Sequence, residues 1–325
     1  MKLAFIVDPL ENLKAYKDSS IAMMRAAAQR GHQVWTVQRP GLHWRDGQVA
    51  ARALQIQPGD DDSAWFSVNR EAVCRLTEFD AVLMRQDPPF DAEYVAATWL
   101  LDRAAAAGAR IWNRPSAIRD HSEKVALAEF FEFAPTTLIA SDIPALQAFI
   151  DELEDVVVKP LDGMGGSGIF RVRRDDPNRN AILETITDNG RRSIMAQRYL
   201  PEILDGDKRI LLIGGVSVPF ALARVPKAGE LRGNLAAGGT GIARPLSARD
   251  KEIADKLAPI LWSRGLLIVG LDVIGNSLTE INVTSPTCFV EIFEQTGCDV
   301  ASMVIDVLER ECAGSATVSA SSSSS

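Results

Sequence analysis

The chain has 325 residues, of which 46% are hydrophobic and 24% are charged, and its formal net charge is −8. This composition is typical of a globular protein with two or three domains, and the acidic balance argues against non-specific binding to nucleic acid. No stretch is long and apolar enough for a transmembrane helix. We therefore expect neither a nucleic-acid partner nor a membrane partner.

The cysteines and the two ends of the chain indicate a cytoplasmic protein. Cys74, Cys288, Cys298 and Cys312 match no zinc-binding or paired spacing, so they are expected to be reduced thiols. The apolar run at residues 3–7 is too short for a signal peptide. The tail at 313–325 is small and Ser-rich, which predicts disorder.

The first 120 residues alternate short apolar runs with amphipathic stretches. Strand, helix and strand at this spacing predict an α/β class and a Rossmann-like domain at 1–120. The predicted strands are 3–7, 33–37, 79–84 and 110–112, and the predicted helices are 18–31 and 91–107.

Two further domains are predicted, and both mix helices and strands in an α+β manner. Residues 121–200 form the second domain, with helices at 116–131, 143–153 and 180–189 and strands at 136–139, 156–159, 169–172 and 194–197. Residues 201–312 form the third, with strands at 208–213, 216–224, 266–274 and 278–283 and helices at 248–264 and 297–310. The Gly-rich segment 225–241 has no periodicity, which is typical of a mobile lid.

A hairpin in the third domain carries the strongest chemical signal. If Ile274 pairs with Leu278 across the turn, Asp272 lies opposite Glu280, and Asn282 projects from the same face as Glu280. Facing carboxylates destabilise a hairpin unless a cation lies between them, and hard oxygen ligands suit Mg²⁺. A solvated acidic hairpin is the alternative, and the hairpin alone does not decide between the two.

A strand ending in Lys159 runs into a glycine-rich turn, residues 163–168. A second strand follows instead of a helix, so the turn is neither a Walker A loop nor a dinucleotide fingerprint. Its backbone N–H groups can form an anion-binding nest, and Lys159 can reach the same phosphates. Lys124 is a further candidate. The alternatives are a flexible hairpin and solvent-facing lysines.

Other segments are weaker candidates, each with an ordinary structural alternative. The strand running into Pro201 can offer backbone groups to an adenine, or it is a plain linker. Charged residues at strand ends suit recognition of carboxylate or phosphate, or they protect sheet edges. The candidates are Gln197, Tyr199, Leu200, Asp207, Arg209, Arg224, Arg232 in the lid, and Arg85 after a buried strand.

Three histidines form no pair or triad with a nucleophile, and no GxSxG motif is present. The sequence therefore argues against covalent catalysis of the hydrolase type.

The order of these motifs resembles the ATP-grasp superfamily. Within it, the segments MRQDPPFD (84–91), KPLDGMGG (159–166), RGNLAAGG (232–239) and TEINVTSPT (279–287) resemble the prokaryotic glutathione synthetase family. The resemblance runs from residue 1 to about residue 310. It implies a three-domain ligase that joins γ-glutamylcysteine to glycine with ATP and Mg²⁺, with Mn²⁺ as a substitute, and a homo-oligomer, often a tetramer.

The resemblance also implies roles for single residues. Lys124, Lys159, Gly163, Met164, Gly165, Gly166, Gln197, Tyr199, Leu200 and Asp207 would bind ATP. Asp272, Glu280 and Asn282 would bind the metal, and Arg209, Arg224 and Arg232 would act on the reacting groups. Arg85, Ser285, Pro286 and Thr287 would border the substrates. Thr240 stands where relatives often have arginine, so the lid has one fewer phosphate contact.

Two other functions fit part of the pattern. Another ATP-grasp ligase, of the D-alanine ligase or amino-acid-adding type, would use the same nucleotide site with different substrates. A non-catalytic ATP-binding regulatory protein is expected to lose metal ligands, and all three candidate ligands are present.

Overall fold

The computed structural model describes residues 1–321 except 231, 234, 236 and 237, and residues 322–325 lie outside it. Three sheets, with six, four and five strands, follow one another along the chain. No helix in the described ranges is both long and apolar enough to cross a bilayer.

The N-terminal sheet has the order β4-β3-β2-β1-β5-β6. Its parallel part is the predicted Rossmann-like layer, with β1 between β2 and β5. Its strands are β1 (Lys2–Ile6), β2 (Gln33–Arg45), β3 (Gln48–Pro58), β4 (Phe66–Arg75), β5 (Ala81–Met84) and β6 (Ile111–Trp112), and its helices are α1 (Ser19–Gln29) and α2 (Ala92–Ala106).

The sequence analysis missed the antiparallel extension of this sheet, in which β2 continues to Arg45 and returns as β3 and β4. The signal was Asp46-Gly47, where both residues have positive φ (50° and 83°). Two consecutive positive φ angles define the hairpin turn that Asp-Gly favours.

The second sheet has the order β7-β10-β8-β9 and packs against two helices. Its strands are β7 (Thr137–Ala140), β8 (Asp155–Pro160), β9 (Phe170–Arg173) and β10 (Ile194–Arg198), and the helices are α4 (Ile143–Leu153) and α5 (Arg179–Ile186). These agree with the predicted elements.

The prediction of a single helix at 116–131 is wrong. The structure has two shorter elements there, α3 (Pro115–Asp120) and a 3₁₀ helix (Val125–Phe130), and Lys124 lies at the start of the second. The carbonyl of Glu123 accepts the N–H of Ile281 at 2.9 Å instead of a helical N–H. Hydrogen bonding to the hairpin at 268–282 therefore interrupts the helix.

The third sheet has the order β13-β12-β11-β14-β15, with all its neighbours antiparallel. Its strands are β11 (Asp207–Ile213), β12 (Val216–Val225), β13 (Thr240–Pro245), β14 (Ile268–Ile274) and β15 (Ser277–Asn282), with α6 (Ala248–Ser263), α7 (Phe289–Thr296) and α8 (Val300–Ser321). Strand β13 and helix α7 were not predicted.

The prediction of a disordered tail from residue 313 differs from the structure, in which α8 continues to Ser321. No proline interrupts this stretch, and most of it is Ala and Ser that extend a helix already nucleated upstream. Residues 322–325, the rest of that prediction, lie outside the described residues.

The first and third domains are joined by a buried amide. Asn113 donates to the carbonyls of Ile268 and Val283, both at 2.8 Å, and accepts the N–H of Ile268 at 3.0 Å. A fully hydrogen-bonded buried amide fixes geometry because losing any one partner leaves a polar group unsatisfied. It therefore holds the β14–β15 hairpin against the first domain.

Candidate active site

The β14–β15 hairpin has the predicted pairing of Asp272 with Glu280, but not the predicted pairing of Ile274 with Leu278. Asp272 pairs with Glu280, while Ile274 pairs with Ser277 and Val273 with Leu278. A β-bulge supplies the difference: Thr279 is the extra residue, and its hydroxyl donates to the carbonyl of Asp272 at 3.1 Å. Bulges re-aim side chains, and this one restores the opposition of the two carboxylates.

Asp272 lies in a buried network of charges. Arg209 reaches its two carboxylate oxygens at 2.5 and 3.1 Å, and Arg224 lies 2.9 Å from one of them. Burial acts to raise the pKa of Asp272, but the two guanidinium groups outweigh burial and hold that pKa well below its usual range. Asp272 is therefore ionised, and guanidinium groups hold both of its oxygens.

Asp207 completes this network from the start of β11. Its carboxylate accepts from Arg224 at 2.5 Å, while its other oxygen is buried without a partner among the described residues. Burial raises the pKa of Asp207 to about 6, against the opposing effect of Arg224. The unsatisfied oxygen faces a cleft in which a ligand hydroxyl or amine would be a suitable donor.

Glu280 is held by a lysine. Lys124 donates to Glu280 at 2.7 Å and to the carbonyl of Gly163 at 2.9 Å. Burial acts to lower the pKa of Lys124, but the carboxylate of Glu280 overcomes it and the pKa is raised. The ammonium group of Lys124 therefore connects the β14–β15 hairpin to the glycine-rich turn.

Lys159 lies at the end of β8, beside the same hairpin. It donates to the carbonyl of Thr279 at 3.3 Å, and burial lowers its pKa. No ion pair of Lys159 occurs within the described part of the chain. A buried ammonium with a single neutral partner is suited to receive an anion.

The glycine-rich turn has a backbone that side chains would disturb. Gly165 and Gly166 have φ of 62° and 85°, and a Cβ at Gly163 would lie 2.7 Å from the ring of Pro160. Met164 is exposed at the rim of the cleft. The turn therefore brings bare backbone to the mouth of the cleft.

The opposite wall of the cleft is formed by the end of β10 and the residues after it. Gln197 is buried and donates to Thr137 at 3.1 Å, and Tyr199 and Leu200 line the cleft. The guanidinium of Arg171 stacks on Tyr199 at 3.5 Å from the ring centroid. This stack was not predicted, because its members are far apart in sequence.

The segment predicted as a lid spans the gap between β12 and β13, although 240 and 241 belong to β13. Arg232 lines the cleft and pairs with Glu230 at 2.7 Å. Positions 231, 234, 236 and 237 lie outside the described residues, so the lid stays a prediction.

The predicted substrate residues divide into two groups. Ser285, Pro286 and Thr287 line the cleft, and Ser285 donates to Asp87 at 2.5 Å. Arg85 is buried behind this wall and donates to the carbonyl of Pro286 at 2.8 Å. Arg85 therefore supports the segment 285–287 from behind, and its role as a carboxylate anchor stays a prediction.

Several cleft residues were missed by the sequence analysis. The side chain of Glu123 accepts the N–H groups of Val283 and Thr284 and so fixes the end of the β14–β15 hairpin. Cys288 precedes α7 and Glu291 lies in its first turn, and both line the cleft. The adjacency of Glu123 to Lys124 was a usable signal. Cys288 and Glu291 gave none, because α7 itself was not recognised.

Apart from Arg85, the predicted site residues line one cleft of about 490 Å³. The described residues hold no group of three or more His, Cys, Asp or Glu side chains placed to bind a metal, and the predicted ligands are two carboxylates and one amide. Asn282 donates its side-chain N–H to the carbonyl of Gly270 at 3.2 Å, so its amide oxygen is the atom that remains to face a cation. This set fits Mg²⁺, which takes few protein ligands and fills its shell with water and phosphate oxygens.

Comparison with solved structures defines the class. The D-cycloserine synthetase DcsG superposes with a TM-score of 0.65 at 15% identity, covering 94% of this chain and 99% of that one. The ATP-grasp ligase PsnB, complexed with minimal precursor, Mg and ADP, gives 0.61 at 17%, covering 95% and 98%. At these identities the likeness shows the fold alone, and the fold is that of the ATP-grasp proteins.

The family follows from the sequence comparisons. The N-terminal domain of prokaryotic glutathione synthetase matches residues 1–119, and its ATP-grasp domain matches residues 123–297. A glutathione synthetase of Ralstonia nicotianae is 58% identical over 310 residues, covering 95% of this chain and 96% of the relative. One from Nitrosomonas europaea is 57% identical over 316 residues, covering 96% and 99%. The chain belongs to the prokaryotic glutathione synthetase family.

Proposed function

We propose that this protein is an ATP- and Mg²⁺-dependent ligase that joins γ-glutamylcysteine to glycine and releases glutathione, ADP and phosphate. The observation that carries the proposal is the single cleft in which two carboxylates and an amide face four buried cations, in a chain of this family. The four cations are Lys124, Lys159, Arg209 and Arg224.

The reaction has to make a carboxylate into an acyl donor. Transfer of the γ-phosphoryl group breaks its bond to ADP and forms a bond to the cysteinyl carboxylate, giving an acyl phosphate. The amine of glycine then attacks the acyl carbon, loses a proton, and phosphate leaves from the tetrahedral intermediate. No protein nucleophile is required, so catalysis depends on positioning and on neutralising charge.

The nucleotide would occupy the cleft between the glycine-rich turn and the end of β10. Lys124 and Lys159 would contact phosphate oxygens, and the exposed N–H groups of residues 163–166 would cover them. Gln197, Tyr199 and Leu200 would border the adenine. Asp207, with its unsatisfied buried oxygen, would accept a hydrogen bond from the nucleoside.

The metal would be held by Asp272, Glu280 and Asn282. When bound, Mg²⁺ would neutralise phosphate charge, and the same oxygen donors would accept Mn²⁺. Arg209 and Arg224 lie beside these ligands and would hold the transferred phosphoryl group and the substrate carboxylate. Arg232 would contribute when the lid segment excludes water from the acyl phosphate.

The test is ADP release with ATP, Mg²⁺, γ-glutamylcysteine and glycine, omitting one component at a time and detecting the peptide by mass. Glutathione that requires all four components supports the proposal. ADP release without glutathione would refute the substrates and retain the nucleotide site. A panel with D-alanine and other amino acids would then identify a different ATP-grasp ligase.

We also place the protein in the cytoplasm as a homo-oligomer. All four cysteines are free, and Cys74 and Cys288 are buried, which suits a reducing compartment. The tetramer is an expectation from the family resemblance. Light scattering coupled to gel filtration would measure it, and a monomer at micromolar concentration would contradict it.

A further inference from the structure

About half of the charged side chains that line the cleft form ion pairs among the described residues. Five basic residues that line it have carboxylate partners: Lys124 with Glu280, Arg171 with Asp155, Arg209 with Asp272, Arg224 with Asp207, and Arg232 with Glu230. The cleft residues that lack an ion pair within the described ranges therefore indicate where a charged ligand would complete the site.

One such set lies where helix α7 meets the start of α1. Glu291 lines the cleft from α7, and its Oε2 atom is buried with no hydrogen-bond partner among the described residues. Burial raises the pKa of Glu291, and the positive charge of Lys17 opposes that effect. Lys14 and Lys17 line the same end from the loop before α1, and neither forms an ion pair with any described residue.

The two segments that carry these charges are held together by the fold. Ser19, two residues after Lys17, accepts the N–H of Phe289 at 3.2 Å, and Phe289 is two residues before Glu291. Asp18 fixes the start of α1 by accepting from Ser20 and Ile21. An acidic group from the third domain and basic groups from the first therefore share one pocket end.

The residues just before Glu291 in the chain connect this pocket end to the arginines. Thr287 and Cys288 lead from Glu291 towards Arg209 and Arg224, whose charges act on the Cys288 thiol. The acyl donor of the proposed reaction has a reacting carboxylate at one end and an α-amino acid head at the other. With the carboxylate at the arginines, the head would extend towards Glu291 and the two lysines.

Resting on the proposed function, we propose that Glu291 and Lys17 recognise the two charges of the γ-glutamyl head. Glu291 accepts hydrogen bonds from the α-ammonium group, and Lys17, assisted by Lys14, binds the α-carboxylate. These residues are specificity determinants for a γ-linked donor, because an α-linked dipeptide presents no free α-amino acid head at this distance from its reacting carboxylate.

The test uses three donors that differ in one charge each: γ-glutamylcysteine, glutarylcysteine, which lacks the ammonium group, and 4-aminobutyrylcysteine, which lacks the α-carboxylate. Each is assayed with wild type, Glu291→Gln and Lys17→Met. For γ-glutamylcysteine we expect kcat/KM to fall about 10- to 100-fold in either variant, the effect of one lost hydrogen bond to a charged group. KM for ATP and glycine should stay unchanged.

The pattern across donors is the decisive readout. Glu291→Gln should abolish the preference for γ-glutamylcysteine over glutarylcysteine and keep the preference over 4-aminobutyrylcysteine, and Lys17→Met should do the reverse. The matched control is Glu294→Gln, an exposed carboxylate on the same helix, which should behave as wild type. The midpoint of thermal unfolding should not fall in Glu291→Gln, because the Oε2 atom has no partner to lose.

Three results would overturn the inference. They are equal loss for all donors in one variant, no loss in either variant, or a wild type that does not distinguish the donors. If wild type forms glutathione with one of these results, only the inference fails. If wild type forms none, the proposed function fails with it.

Discussion

The charge pair between Lys124 and Glu280 offers a prediction that joins stability to activity. Lys124 is 4% exposed, its Nζ lies 2.7 Å from Glu280, and the Glu280 side chain is 20% exposed. Glu280→Gln keeps the shape and an acceptor oxygen but removes the negative charge. The lysine keeps its bond to Gly163 and a hydrogen bond to the new amide oxygen, so the loss is the difference between a charge-assisted and a neutral hydrogen bond.

That difference is about 1 kcal/mol, since bonds to charged groups contribute about 2 kcal/mol and neutral ones about 1 kcal/mol. We therefore expect the free energy of unfolding, measured with urea, to fall by about 1 kcal/mol without metal or nucleotide. A double-mutant cycle with Lys124→Met isolates the pair. In the assay, removal of a metal ligand should lower kcat/KM at least about 100-fold and shift its dependence on Mg²⁺ to higher concentration.

The matched control is Glu202→Gln, an exposed carboxylate whose side chain lies against Gly275 at the turn of the same hairpin. It should leave both measurements unchanged. A Glu280→Gln enzyme with wild-type turnover and wild-type Mg²⁺ dependence would refute the metal assignment. An unfolding free energy equal to that of wild type would refute the value given to the ion pair.

Three further predictions concern the lid, the glycine-rich turn and a buried histidine. Arg232→Ala should uncouple ADP release from glutathione formation, and a wild-type ratio of the two products would contradict the lid role. Gly163→Ala places a methyl group 2.7 Å from the Pro160 ring, so KM for ATP should rise while KM for glycine stays constant; equal changes in both would count against the nucleotide role. Burial, and then the charge of Arg264, lower the pKa of His121 to about 4, below its ordinary 6.5. Between these two pKa values the unfolded chain binds more protons than the folded protein, so the free energy of unfolding falls as the pH falls through this window. His121→Gln should remove up to about 3 kcal/mol of that loss. Urea unfolding at about pH 7 and about pH 4.5 measures it.

The sequence was sufficient for features that depend on local periodicity. Alternation around Gly275 correctly placed Asp272 opposite Glu280, and most strands of the second and third sheets were predicted. The bulge at Thr279 was missed, although two adjacent polar residues, Thr279 and Glu280, between Leu278 and Ile281 break the strict alternation. Lys124 was placed on a continuous helix because the interruption is caused by a bond to Ile281, far away in the chain.

Features that depend on packing between domains had no sequence signal. Glu291 is one of several acidic residues near the end of the chain, and only the three-dimensional structure shows one of its oxygens buried without a partner. The position of Arg85 behind Pro286 is of the same kind. A residue after a buried strand can face the cleft or support its wall, and the local pattern is identical in both cases.

The ion pairs of the β14–β15 hairpin affect how metal and nucleotide bind in the cleft. The carboxylates assigned to the metal are held by the cations assigned to phosphate, Glu280 by Lys124 and Asp272 by Arg209 and Arg224. The metal alone would have to displace these cations into an empty cleft, whereas a metal–nucleotide complex supplies each released cation with a phosphate at the same time. Metal and nucleotide should therefore strengthen each other's binding by the same factor, as thermodynamic reciprocity requires. The empty enzyme in turn neutralises its facing carboxylates with its own lysine and arginines, without an ion.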